Sequence, residues 1–171
     1  MLKYLAPLCL LLCLGATAHA GSIGETAGKD LFELTTDQQF LLPFLGHFAL
    51  VAGLYIWLTW ERQTALRKGE IKPAAFVNAN ADPERSKRVA RNLSNQFELP
   101  VFALFAATII YQSGRIEAID IAAAWLFLIG RLIHTGVQTL TTNVPLRGLV
   151  FLINFVAVVI LMGRVAQGVF L

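Results

Sequence analysis

The chain has 171 residues, 56% of them hydrophobic and only 15% charged, with a net charge of +3. That length leaves room for one domain rather than two, and the apolar share exceeds that of an ordinary soluble domain. The basic residues form no continuous tract with interleaved aromatics, so nucleic acid is not an expected partner.

Residues 1–20 have the layout of a secretory signal peptide: Lys3, an apolar stretch from Leu5 to Leu14, then Ala18-His19-Ala20 ahead of Gly21. The alternative is a retained first membrane helix, but the ~10 apolar residues fall short of the ~20 needed to cross a bilayer. Cys9 and Cys13 both lie inside this segment, and Leu12 is too large for a lipoprotein cleavage site. The mature chain is therefore expected to carry no thiol, disulfide or cysteine metal site. Residues 21–40 follow as a polar, acidic lead-in.

Leu41 to Trp60 contains no formal charge and is long enough to cross the hydrocarbon layer, with Tyr55, Trp57 and Trp60 towards one interface. The next segment, Glu61 to Ala81, is hydrophilic and is broken by Gly69 and Pro73. Asp82-Pro83-Glu84 then supplies a cap, a first-turn proline and an acidic residue, opening a second helix expected over 83–112. Only Phe97 to Tyr111 of that helix is strongly apolar. A third helix is expected over 117–139 and a fourth over 146–169, separated by Thr141 to Pro145. The expected fold is an all-α, four-transmembrane-helix antiparallel bundle over 41–171.

Arg62, Arg67, Lys68, Lys72, Arg85, Lys87, Arg88 and Arg91 all fall between the first two spans or at the start of the second, which places that side in the cytoplasm. A cleaved signal peptide independently puts the mature N-terminus outside, and the C-terminus with it.

Charged side chains inside a bilayer need a partner, a water-filled cavity or a ligand. On an unbroken second helix, Arg88, Arg91, Asn92, Asn95 and Glu98 fall within an arc of about 120°. On the third, Arg131, His134 and Gln138 stack along one face. On the fourth, Arg147 stands at the start, just after Pro145, and Asn154 lies two turns deeper on the same face. Together the stripes predict an electropositive cleft at the cytoplasmic end that attracts an anion. Other readings stay open: Arg88 and Arg91 as orientation charges, Glu98 as a structural partner of Arg131 or Arg91, and His134 as a hydrogen-bonded core histidine. No metal-ligand spacing is present. His47 is read as a packing residue and Arg164 as a snorkelling one.

Arg88-Val-Ala-Arg91-Asn92, Glu98-Leu-Pro100, Gly130-Arg131-Leu-Ile-His134-Thr135 and Pro145-Leu-Arg147 together resemble the MAPEG family, membrane-associated proteins of eicosanoid and glutathione metabolism. The resemblance runs from about Leu41 to Val169. It implies a homotrimer of four-helix subunits that holds glutathione between neighbours near the cytoplasmic face. By position, Arg88, Arg91 and Asn92 resemble glutathione-binding residues, Arg131 and His134 supporting ones, and Arg147 the arginine that activates the sulfur. Asn95 stands where glutathione-binding members carry Glu, and Glu98, a further turn along, substitutes for it only with a displacement of the peptide or the helix. Gln138 replaces a tyrosine that contacts glutathione. The spacing Asn-x-x-Asn-x-x-Glu-x-Pro resembles the family's bacterial branch and, with the signal peptide, implies an inner membrane.

The resemblance implies a glutathione-dependent transferase or peroxidase acting on a small lipophilic electrophile that enters from the bilayer. The competing reading is a noncatalytic lipid-binding or scaffolding protein on the same fold. A channel or transporter is less well matched, because the polar residues gather at one side only. Phe102, Phe105, Phe127 and Phe151 are pocket-lining or packing residues.

Overall fold

The computed structural model describes residues 34–73 and 82–170. The signal peptide expected over 1–20 and most of the lead-in lie outside the described residues. Five helices occur among those described: α1 (Thr36–Arg67), α2 (Glu84–Asn95), α3 (Leu99–Ser113), α4 (Ala118–Leu140) and α5 (Val144–Phe170). Four stretches are long and apolar enough to cross a membrane, with α2 and α3 together forming one of them.

Several helix ends have a local cause. Thr35 opens α1 through a reciprocal capping box: its hydroxyl accepts from the Gln38 amide at 3.3 Å and its own amide donates to the Gln38 side chain at 2.9 Å. At the other end Gly69 takes a left-handed φ of 70°, and Gly69 and Glu70 donate back to Leu66 and Ala65. That arrangement is a Schellman motif, in which the glycine position favours a residue without a Cβ. At 32 residues, α1 is far longer than the 41–60 expected from its uncharged run and extends to either side of it. Arg62 binds Asp82 at 2.6 Å, which fastens the projecting end of α1 to the start of α2. Asn143 opens α5 by accepting from the Leu146 amide at 3.0 Å.

The second span is not the continuous helix expected from the sequence. It breaks at Gln96–Glu98, where Glu98 has φ −94° and ψ −103°. Pro100 explains the position: it has no amide to donate to Gln96, and its ring would collide with that carbonyl. Tight turns bridge the break, with Gln96 donating to Leu93 and Phe97 to Ser94.

The interior divides into two kinds of layer. Away from the basic end, Phe40, Phe44 and Phe127 interlock with Ala103, Ala106, Ala124, Ala157 and Leu161. The alanines let helices approach closely, as membrane packing requires. Nearer the basic end, Leu54 and Leu58 pack on Val89 and Leu93, joining α1 to α2. Arg164 does not snorkel alone. It binds Glu117 at 2.6 Å and the fully buried Asp120 at 2.9 Å, tying the start of α4 to the end of α5.

Candidate functional site

The break in the second span frees backbone groups, and polar side chains collect around it. Gln96, 1% exposed, is the centre. Its Oε1 accepts from Arg131 Nε at 3.0 Å and from His47 Nε2 at 3.1 Å. Its Nε2 donates to Asn92 Oδ1 at 2.6 Å, with longer contacts to Asn92 O and Thr135 Oγ1. The amide thus uses its full donor and acceptor capacity. Arg131 Nη2 donates to the carbonyl of Asn95 at 3.1 Å, so the guanidinium caps the end of α2. Asn92 and Thr135 complete the network, the Thr135 hydroxyl donating to Asn92 Oδ1 at 3.2 Å.

In front of this layer lies a cleft between α2, α4 and α5. Its inner part, about 490 Å³, is lined by Arg91, Asn95, Glu98, His134, Arg147 and Phe151, together with Gln138. Its outer part, about 350 Å³, shares Arg91, Gln138 and Arg147 and adds Glu84, Arg88 and Asn143. Among the described residues, Arg88, Arg91 and Arg147 make no ion pair. These three guanidiniums outnumber the two carboxylates of the lining, Glu84 and Glu98, so the cleft carries an excess of positive charge that suits an anion. A cavity of about 550 Å³ also lies at the other end of the bundle, but the Arg164 that lines it is already held by two carboxylates.

The residues singled out in the sequence therefore fall into two sets. Arg88, Arg91, Glu98, His134, Gln138 and Arg147 line the cleft. Asn92 and Arg131 are 0% and 1% exposed and stand behind it, holding the helix break. Glu98 stands at the end of the break rather than on one unbroken face; it makes no direct ion pair with Arg91 or Arg131, though its charge acts favourably on Arg131. Asn95 and Gln138 bind one another, Asn95 Nδ2 donating to Gln138 Oε1 at 3.0 Å. Of the four phenylalanines, Phe151 alone lines the cleft, while Phe127 is core and Phe102 and Phe105 are exposed. His47 is not simple packing, since it belongs to the Gln96 network. Gln96 itself was missed, and Pro100 was the signal that could have found it, because the proline breaks the helix where Gln96 sits.

Comparison with known proteins gives one positive result. The model of the MAPEG family matches residues 44–167. No curated protein and no solved structure matches.

Proposed function

Because the chain belongs to the MAPEG family, and is an integral membrane protein by its four apolar spans, we propose a glutathione-dependent transferase or peroxidase for lipophilic electrophiles. The observation that carries this reading is the convergence of Arg88, Arg91 and Arg147, without carboxylate partners, on a cleft that also holds His134 and Phe151. Arg88 and Arg91 would hold the carboxylates of the peptide, and Arg147 would favour ionisation of its thiol. A guanidinium beside a thiol favours the thiolate, and ~2 units of depression leave most of it ionised at neutral pH. Bound glutathione would supply a thiolate nucleophile for the electrophilic atom, with the leaving group departing with its electron pair. Glu98, His134 and Gln138 supply further hydrogen bonds, while Asn92 and Arg131 keep α2 and its break in place. In this reading the protein is a homotrimer of the bacterial inner membrane, with the cleft on the cytoplasmic side.

The test is a titration of the purified protein with glutathione, following thiolate absorbance in the ultraviolet for wild type and Arg147→Ala. Wild type is expected to bind and ionise the thiol; the variant should bind more weakly and leave it protonated. Absence of binding at millimolar glutathione would sink the reading. The noncatalytic lipid-binding alternative is favoured by one observation: Asn95 and Gln138 spend polar groups on each other at 3.0 Å. Binding without thiolate formation is the result that selects it.

A further inference from the structure

At the end of the bundle away from the cleft, α3 finishes at Ser113, α4 begins at Ala118 and α5 closes at Phe170. Gly114, with a left-handed φ of 66°, turns the chain out of α3 into the short connection that carries Arg115 and Glu117. Both residues line the cavity of about 550 Å³ found there, together with Ile110 from α3 and Arg164 and Gln167 from α5. The charges of this lining are separated. Arg164 is bound by Glu117 at 2.6 Å and by Asp120 at 2.9 Å, one cation against two carboxylates, so the clamp keeps an excess of negative charge. Arg115 makes no ion pair among the described residues and stands as an excess of positive charge in the same cavity. Gln167 Oε1 accepts from Arg164 Nη1 at 2.7 Å, which leaves the Gln167 Nε2 to donate elsewhere.

A simple anion would be drawn by Arg115 and repelled by the clamp, and a simple cation would meet the reverse. A ligand that carries a phosphate and an ammonium together satisfies both. The surroundings are those of a headgroup layer, because the helices that frame the cavity are membrane spans ending at this level. Tyr111 and Ile119, within four residues of Arg115 on either side, and Val169 and Phe170, just after Gly168 of the lining, are all exposed. Apolar side chains exposed at the ends of spans meet acyl chains, and tyrosine favours the interface.

We infer that this cavity is a lipid headgroup site selective for phosphoethanolamine. The phosphate accepts from the Arg115 guanidinium and the Gln167 amide, and the primary ammonium donates to the Glu117 carboxylate. A phosphocholine head carries the same charges but has no N–H to donate, and a phosphoglycerol head lacks the cation. The site lies at the opposite end of the bundle from the cleft and is independent of the glutathione reading.

The full chain in detergent, without glutathione, is titrated with short-chain phosphatidylethanolamine, phosphatidylcholine and phosphatidylglycerol of identical acyl chains, and bound lipid is counted by native mass spectrometry. Wild type should prefer the ethanolamine lipid to either rival by about tenfold, the worth of one charge-assisted hydrogen bond. Arg115→Gln, an exposed change outside the helices, should abolish that preference. Glu117→Gln should redirect it: the clamp, still held by Asp120, becomes neutral, Arg115 is left in excess, and the acidic phosphatidylglycerol should now bind best. Equal binding of the three lipids by wild type overturns the inference, as does a preference that survives Arg115→Gln or keeps its order in Glu117→Gln. Soluble glycerophosphoethanolamine, added as a competitor, tests the source. Displacement only at concentrations far above those of the lipid supports a membrane ligand, whereas displacement at equal concentration overturns it in favour of a soluble one.

Discussion

At the end of the bundle where α4 begins and α5 finishes, one arginine binds two carboxylates; at the opposite end three arginines share a cleft with Glu84 and Glu98 and form an ion pair with neither. Arg164 closes a clamp between helices, and its charge is spent on holding them together. Arg88, Arg91 and Arg147 repel one another, a cost with no structural return inside the described chain. Between the two ends, Gln96 and Arg131 show a third arrangement: a buried cation whose hydrogen bonds go to an amide and a carbonyl, with the Glu98 carboxylate acting on it without a direct ion pair. In this protein the pairing of an arginine, more than its burial, separates scaffold from site.

Removing the middle arrangement should have the largest effect. Gln96→Leu strips the Arg131 guanidinium and His47 of their shared acceptor, and breaking a buried charged contact costs about 3–5 kcal/mol. A much lower thermal midpoint in detergent is expected; an unchanged midpoint would show that the network is not structural. Arg147→Ala should barely alter that midpoint but weaken anion binding by about 1.5–3 kcal/mol, roughly ten- to a hundredfold in affinity. Asp120→Ala should do the reverse, costing about 1–2 kcal/mol of stability, moderated because Glu117 still holds Arg164. Its ligand affinity should match wild type, and a loss there would erase the distinction between the two ends. The smallest effect is that of salt. Raising ionic strength from about 0.01 to 1 M contracts the Debye length from about 30 to 3 Å. Binding in the open cleft should weaken severalfold while the Arg164 clamp, half enclosed, keeps the midpoint nearly constant.

The four spans were legible because an uncharged run of membrane length has few other uses, and six cleft residues were legible because charge at a helix face needs explaining. Three features were hidden for physical reasons. The face assigned to Arg88 through Glu98 presumed an unbroken helix, and Pro100 acts four residues upstream of itself, on the carbonyl of Gln96. Gln96 carries no charge, so it gave no sign of being the acceptor for a buried arginine. Arg164 was separable from Asp120 in sequence by the whole length of two helices, and only their antiparallel packing brings the pair within 2.9 Å.

The break in the second span also bears on the surrounding lipid. α3 alone has 15 residues, about 22 Å of rise against a hydrocarbon layer of about 30 Å. The shortfall is made up by the last turns of α2, so the level of Asn95 and Glu98 falls within reach of acyl chains. For the proposed function, this is the level at which a lipophilic ligand would arrive beside the cleft from the leaflet. Bilayer thickness becomes a control variable: thicker membranes draw the break deeper or tilt the span, and thinner ones return it to the headgroups.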